Sequence, residues 1–235
     1  IAVSLDSSPA LTGGPNAMDT PLSYAPASLL KELSVHRGIA PVSAAQESIG
    51  GHVSAHFDRG SFNNGRQMQL SGFANSRFGD NGNQSASNLQ LVAANKQHKV
   101  ALLASYDEGD SSEAGDNLLL TGSQYQRSRT DLSYGLQSGV TNADFHIGQM
   151  DISNTGTPAL AMDITSVETD LAGFNLSTEI NDIKVVANLA WTDVVHSMDN
   201  HSLRQAPMMT MDYRTNLATA DNLSWTFKAV LPINQ

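Results

Sequence analysis

Most of this sequence alternates between apolar and polar residues with a period of two, and this pattern limits the possible folds more than any other feature. Near residue 225, for example, Leu223, Trp225 and Phe227 are separated by single polar residues. A period of two places alternate side chains on opposite faces of a β-strand. Similar runs, separated by Gly, Asn, Asp and Ser, recur from about residue 64 onward. They predict about nine strands joined as hairpins in an antiparallel meander.

The lengths of these runs favour a particular class of β protein. The predicted strands lie near residues 68–76, 87–95, 99–107, 118–127, 131–138, 143–152, 169–179, 183–198 and 222–231. Most exceed the roughly 5–6 residues that are common in soluble proteins. Long alternating strands suit a transmembrane β-barrel, because every backbone polar group within the membrane must be paired inside the protein. A secreted β-sandwich or β-solenoid remains an alternative on the pattern alone.

The composition fits strands with one apolar face and one uncharged polar face. Charged residues form 15% of the chain, against about 25% in soluble domains. The net charge of −10 argues against nucleic acid as a partner, because phosphate binding requires clusters of Lys and Arg. The chain has no cysteine, which excludes disulfides and thiolate ligands within it. No apolar run approaches the roughly 18 residues of a membrane-spanning helix.

The first part of the chain, to about residue 58, lacks this regular alternation and predicts a small α/β unit. A short helix is predicted near Pro26–Glu32, because proline is accepted in the first turn of a helix. An extended stretch follows at Leu33–His36, and Gly50-Gly51 predicts a bend into a further strand.

Two short motifs in this first part carry a family resemblance. Residues 33–43 read Leu-Ser-Val-His-Arg-Gly-Ile-Ala-Pro-Val-Ser, and residues 47–51 read Glu-Ser-Ile-Gly-Gly. They resemble the plug domain of TonB-dependent outer-membrane receptors, in which a strand ends in Arg-Gly and a Gly-Gly bend leads into the last plug strand. Further segments resemble the copper-receptor branch of that family: residues 16–19 with 21–24, 156–164 and 196–204.

The resemblance implies a mostly β fold: a portion of a 22-stranded antiparallel transmembrane β-barrel with a small α/β plug domain in its lumen. It divides the chain into the later part of the plug, residues 1–60, and the first part of the barrel wall, residues 61–235. Since about nine strands cannot close such a barrel, we expect the chain to be an excerpt of a receptor.

The same resemblance implies a location and partners. The location is the outer membrane of a Gram-negative bacterium, with outer-membrane lipid around the barrel. Import would be driven by the inner-membrane TonB complex, whose contact segment is not in this chain. The transported substrate implied by the branch is a copper ion or a small copper complex.

In the copper-receptor branch, a Cys-x-x-x-Met pair in the plug meets a His-x-Met pair in the barrel. Met18 matches the plug methionine, and His196 and Met198 match the barrel pair. Gly14 stands where the cysteine would be, so the resemblance implies at most three of the four ligands. Thioether and imidazole groups favour copper, especially Cu(I), over hard cations.

The alternation around His196 independently supports this pair. One face of the predicted strand carries Ile183, Val185, Ala187, Leu189, Trp191 and Val195, and the other carries Lys184, Asn188, Thr192, His196 and Met198. If the apolar face meets lipid, His196 and Met198 point into the lumen. Residues i and i+2 share a face, so both side chains can bind one ion.

Other interpretations remain open. With Gly14 in place of the cysteine, the substrate could be a different metal chelate or an organic molecule; a secreted soluble β-sheet protein for binding or adhesion is a second alternative. Met208, Met209 and Met211 could pass copper toward the site or cover a loop, and we favour the loop. No hydrolase, metalloprotease or phosphate-loop motif is present, so we predict that the chain is not an enzyme.

Overall fold

The computed structural model describes residues 2–6, 8–10, 20–41 and 50–231, and these form two β-sheets. The small sheet consists of β1 (Ala2–Leu5), β2 (Ser8–Pro9), β3 (Leu30–His36) and β4 (His52–Phe57). Its order is β2-β1-β4-β3, with β1 parallel to β4 and the other neighbours antiparallel. Gly51, with a φ of +111°, turns the chain into β4 as the Gly-Gly motif predicts. A Cβ atom there would lie 2.7 Å from the carbonyl oxygen of His36.

The helix predicted at Pro26–Glu32 is wrong. The chain forms two short 3-10 turns instead, Pro21–Tyr24 and Ala27–Leu29, and β3 begins at Leu30. From Leu30 onward the backbone pairs with β4, and this pairing takes the place of helical hydrogen bonds. The side chains of Tyr24 and Leu29 are buried and anchor the two turns by packing.

The large sheet is an antiparallel meander in which each strand pairs with the next. Its strands are β5 (Gln69–Gly79), β6 (Gln84–Ala94), β7 (His98–Gly109), β8 (Tyr125–Ser138), β9 (Thr141–Thr155), β10 (Asp163–Ile180), β11 (Ile183–Asp199) and β12 (Thr215–Val230). Several run to between 14 and 18 residues. The predicted antiparallel meander of long strands is confirmed.

The large sheet has eight strands within the described ranges, one fewer than predicted. The strand predicted at 118–127 does not form, because residues 110–124 make a loop closed by a hydrogen bond from the Leu120 amide to the Ser112 carbonyl. Gly122, with a φ of +81°, lies in the same loop. The predicted break after Arg127 is absent, and β8 runs without interruption from Tyr125 to Ser138.

The connections differ in length between the two ends of the large sheet. Short turns at 95–97, 139–140 and 181–182 define what we call the turn end. Longer connections at 110–124, 156–162 and 200–214 define the loop end. At Asn181-Asp182 both residues have positive φ, as a two-residue turn between twisted strands requires.

The small sheet and its 3-10 turns pack against one face of the large sheet, which we call the inner face. Tyr24 contacts a buried group on β9, β10 and β11, and Leu29 contacts Leu103 together with Ala55 and Phe57. The opposite, outer face is apolar and exposed: Leu223, Trp225 and Phe227 are 65%, 77% and 64% exposed. None of the described helices is long and apolar enough to cross a membrane.

Candidate functional site

His196 and Met198 lie on β11 near the loop end and point toward the inner face. Both side chains are 0% exposed. His196 is opposite Val167 on β10 and Ala218 on β12 in the register of the sheet. The orientation predicted from alternation is therefore confirmed, while the role of the two side chains in binding metal stays a prediction.

The other predicted ligand lies outside the described residues. Met18 and Gly14 both fall between residues 11 and 19, where the structure describes nothing. The described chain resumes at Thr20, two positions after Met18. The 3-10 turn that follows buries Tyr24 in the same apolar cluster as Met198. The segment that leads out of the Met18 region is thus packed beside the His196–Met198 pair.

Two further methionines border this cluster. Met150 on β9 is buried in it, and Met162, in the connection between β9 and β10, packs against it. Met162 lies within the segment 156–164 that resembles the copper-receptor branch, but that resemblance assigns it no role. Motif comparison misses Met150, although the period of β9 assigns it to the inner face. Buried methionine commonly fills irregular gaps in a core, which accounts for both positions. Across the described ranges, no group of three or more His, Asp or Glu side chains could hold a metal ion, so the proposed ligand set depends on thioethers.

Arg204 bonds the two loops that flank the site at the loop end. Its guanidinium donates to both carboxylate oxygens of Asp163, at 2.7 and 2.6 Å. It also donates to the carbonyl oxygens of Leu160 and Thr157. Hydrogen bonding to Asp163 raises the pKa of the Arg204 guanidinium. The loops at 156–162 and 200–214 are consequently held together directly above β10 and β11.

Asp199 fixes the start of the second loop, one residue after Met198. One of its carboxylate oxygens accepts hydrogen bonds from the amides of His201 and Ser202, at 3.0 and 2.8 Å. The ring of His201 stacks on Tyr213, with 4.6 Å between the centroids. Asp199, His201 and Arg204 are therefore polar residues that shape the loop.

The methionine patch of the same loop is open to solvent. Met208, Met209 and Met211 are all exposed. They add little to the packing of the loop, which Arg204 and Asp199 hold. Covering of the loop stays the favoured interpretation, and passage of copper toward His196 stays the alternative.

A buried ionic network joins the two sheets deeper in the molecule. Arg59, just after β4, contacts Asp6 at 2.5 Å and Asp131 on β8 at 3.3 Å. Arg129 contacts Asp131 at 2.6 Å and donates to the carbonyl oxygen of Tyr24 at 2.8 Å. Sequence reasoning missed this network. An available signal was the position of Asp131, which alternation places on the same face as the lumen-facing polar residues.

Among the comparisons with known proteins, the one with solved structures finds the same fold. No protein-family model matches this sequence, and no curated protein matches it either. The solved structure described as copper transporter OprC superposes with a TM-score of 0.90 at 20% identity, over 99% of this chain and 36% of that chain.

Two solved structures of the ferric enterobactin receptor PfeA from Pseudomonas aeruginosa are also similar. The R480A mutant in complex with enterobactin gives a TM-score of 0.69 at 14% identity, over 100% of this chain and 39% of that chain. The G324V mutant gives 0.66 at 14% identity, over 99% and 38%. This chain thus spans little more than a third of each of these proteins. At such identities the likeness establishes the fold alone, which is that of part of copper transporter OprC and of part of the receptor PfeA.

Proposed function

We propose that this chain is part of a TonB-dependent outer-membrane receptor that imports a copper ion or a small copper complex. The observation that carries the proposal is the burial of His196 and Met198 side by side on the inner face, against the small sheet. The fold shared with copper transporter OprC supports the same cargo.

In this proposal residues 1–60 belong to the plug and residues 61–235 to the wall of a 22-stranded barrel. Lipid would cover the exposed apolar face that carries Leu223, Trp225 and Phe227. Outer-membrane barrels have short periplasmic turns and longer extracellular loops, so the loop end would face the outside of a Gram-negative cell. His196 and Met198 would then lie near the outer opening.

Substrate would bind between Met18 and the His196–Met198 pair. Only six positions separate Met18 from Tyr24, so an extended chain between them spans at most about 20 Å. Tyr24 packs in the same cluster as Met198, so the chain is long enough for Met18 to reach the His196–Met198 pair. Force from the inner-membrane TonB complex on the plug would separate ligands that belong to two different parts of the receptor, and the metal would be released inward.

The test uses the full-length receptor and variants that preserve volume. Met18→Leu, His196→Gln and Met198→Leu remove candidate ligand atoms but keep side chains of similar size. Each should lower Cu(I) affinity and copper uptake by about tenfold or more, equivalent to at least about 1.4 kcal/mol. Metal content after purification and uptake of copper by cells are the measurements.

Met150→Leu is the matched control, because it removes a buried thioether from the same cluster without touching a proposed ligand. Normal copper binding and uptake in both the Met18 and the His196 variants would show that the site is wrong. A change of equal size in Met150→Leu would indicate an effect of packing and not of coordination.

Gly14 favours a second candidate cargo, a different metal chelate or an organic molecule, because it supplies no thiolate. Titration of the purified receptor with Cu(I), Cu(II) and a series of ferric siderophores separates the two cargoes. A Gly14→Cys variant should bind Cu(I) more tightly than the wild type if the copper geometry is correct, since a thiolate would complete the ligand set. Tighter binding of a siderophore than of copper by the wild type would favour the second cargo.

A further inference from the structure

A pocket of about 380 Å³ lies on the inner face, on the other side of Met150 from His196 and Met198. Its volume is within the range of about 300–1,000 Å³ that is typical of small-molecule sites. One wall is formed by the loop-end halves of β5 to β8, and the opposite wall by the 3-10 turns between Leu22 and Ser28. The ligand pair does not line this pocket, whereas Arg129 of the ionic network and Met150 of the buried cluster do.

Two rows of side chains cross the strands and line the pocket. The row nearer the loop end contains Arg77, Ala86, Asp107 and Arg127, and the next row contains Asn75, Asn88, Ser105 and Arg129. Residues opposite one another on adjacent strands share a face of the sheet. Each row is therefore a continuous line of side chains on the inner face.

Small side chains open space between the charged ones. Ala86 stands between Arg77 and Asp107 in the first row, so no long side chain fills that position. On the opposite wall the lining residues include Ala25, Ala27 and Ser28, which are equally short. The cavity is thus bordered by guanidinium groups and is not filled by them.

Among the side chains that line the pocket, positive charges outnumber negative charges. Arg127 pairs with Asp107, and Arg129 is paired with Asp131, which lies outside the lining. No carboxylate of the described residues forms an ion pair with Arg77. Three arginines and one aspartate therefore line the pocket in a chain whose net charge is −10.

The two outer arginines are accessible to a ligand. Arg77 is exposed, and the side chain of Arg127 is 37% exposed. The Arg127 guanidinium also lies over the ring of Tyr125, 5.1 Å from the centroid, which restricts its orientation. A planar guanidinium held in this way can form two parallel hydrogen bonds to one carboxylate.

We propose that this pocket binds a small anion with two or more carboxylates, through Arg77 and Arg127, and that Asn75 and Asn88 bond to its uncharged polar groups. Asn88 already donates to Asn75 at 3.0 Å, so the two amides present a fixed pair of polar atoms. The inference rests on the proposed receptor function, in which such an anion would be the organic part of a copper complex. A receptor with this pocket would capture copper together with its carrier.

The test is calorimetric titration of the full-length receptor with citrate alone, with copper(II) citrate, and with Cu(I) alone. Citrate should bind with a saturable isotherm that weakens as salt is added. Arg77→Gln and Arg127→Gln should each weaken citrate binding by about tenfold or more, since a charged hydrogen bond contributes about 1.5–3 kcal/mol. Comparison of the affinities for citrate and for copper(II) citrate shows whether the pocket prefers the free anion or its metal complex.

Arg66→Gln is the control, because Arg66 is an exposed arginine near the turn end and outside the pocket. It should leave citrate affinity unchanged. Citrate binding that is absent in the wild type, or equal in all three variants and the wild type, would overturn the proposal. If Cu(I) fails to bind but citrate binding still depends on Arg77, the copper cargo is wrong while the anion pocket stands. Heat-shifted migration on a gel verifies that each variant is folded.

Discussion

Phe57, the last residue of β4, lies close to two guanidinium groups. The central carbon of Arg129 is 4.0 Å from the ring centroid, and that of Arg59 is 5.5 Å away. The amide of Phe57 donates to Asp6 at 3.0 Å. An aromatic ring attracts a cation over its face, so Phe57 helps to keep two like charges close together. The carboxylate of Asp131, which is almost fully buried, compensates both.

Asp131→Asn keeps the shape of the side chain but removes this charge. Arg59 would then keep only Asp6, and Arg129 would lose the carboxylate that it contacts. Breaking a buried ion pair on one side costs about 3–5 kcal/mol. We expect the free energy of unfolding of the full-length receptor to fall by about that amount. Urea unfolding followed by tryptophan fluorescence measures the change.

The comparison variant is Asp144→Asn. Asp144 pairs with Lys99 at 3.1 Å, but its side chain is 31% exposed. Lys99 is buried, but water reaches its partner carboxylate, so we expect a smaller loss than in Asp131→Asn. An equal loss in the two variants would contradict the role assigned to burial of Asp131.

For single residues, the sequence predicts which face of the sheet a side chain occupies but not which side chain it contacts. Alternation correctly assigned His196 and Met198 to the inner face, because orientation depends only on neighbouring residues. The contact between Arg59 and Asp131 joins positions 72 apart in the chain. No local pattern encodes such a contact, since it depends on how the small sheet docks on the large one.

At the scale of elements, glycine on one strand makes room for a charged or polar side chain on the next. Gly148 is opposite Asp131, and Gly173 is opposite His146. A Cβ atom on Gly148 would lie 2.8 Å from the Asp131 carboxylate, and one on Gly173 would lie 2.2 Å from the His146 ring. At these two positions the inner face accommodates a large polar side chain because the residue opposite it has no side chain.

Gly173→Ala should destabilise the receptor because His146 is buried and cannot move freely aside. Forcing extra atoms into a packed interior costs about 1–3 kcal/mol. The temperature at which the folded gel band is lost should fall. The double variant Gly173→Ala with His146→Ala should recover most of the loss.

Gly115→Ala serves as the control for backbone effects, since a Cβ atom at Gly115 would meet no atom within 4 Å. A fall in Gly173→Ala that the second substitution does not relieve would argue against the contact with His146. No change at all in Gly173→Ala would argue that the ring is free to shift.

Element boundaries were predicted less well than the presence of strands. The apolar run Leu118-Leu119-Leu120 suggested a strand, yet these residues lie exposed in the loop before β8. Periodicity does not distinguish a short apolar run in a loop from one in a strand. The helix predicted at Pro26 failed for a related reason, because docking on the large sheet and pairing with β4 decided the local conformation.

At the scale of the whole molecule, the two faces of the large sheet meet different surroundings. Both tryptophans of the chain, Trp191 and Trp225, lie on the outer face, and Trp225 is the more exposed. If lipid covers this face, brominated lipid should quench their fluorescence. We expect stronger quenching in nanodiscs made with brominated acyl chains than in matched unbrominated discs.

The difference between the wild type and Trp225→Phe isolates the contribution of Trp225. That contribution should be strongly quenched, because Trp225 is largely exposed on this face. Equal fluorescence in the two kinds of disc would show that the outer face is not in contact with acyl chains. The transporter proposal would then fail.

The architecture was largely accessible from the sequence, whereas the site was accessible only in part. Long alternating runs determine an antiparallel meander because each strand needs two different faces. The pattern of the first part of the chain predicts a small α/β unit, but the parallel pairing of β1 with β4 depends on contacts between distant segments and was not predicted. The pocket beside Arg77 arises from register across four strands, which no single run of sequence reveals.

The hydrogen bonds from Arg204 to Asp163, Leu160 and Thr157 have a mechanical consequence for the opening above His196 and Met198. Arg204 belongs to one loop and bonds to the other, so the loops cannot separate while these bonds persist. Either loop can move away only when the two charged hydrogen bonds between Arg204 and Asp163 break. The rim is therefore stiff on the side that would face the medium. Separation of the two loops therefore begins with the loss of the hydrogen bonds between Arg204 and Asp163.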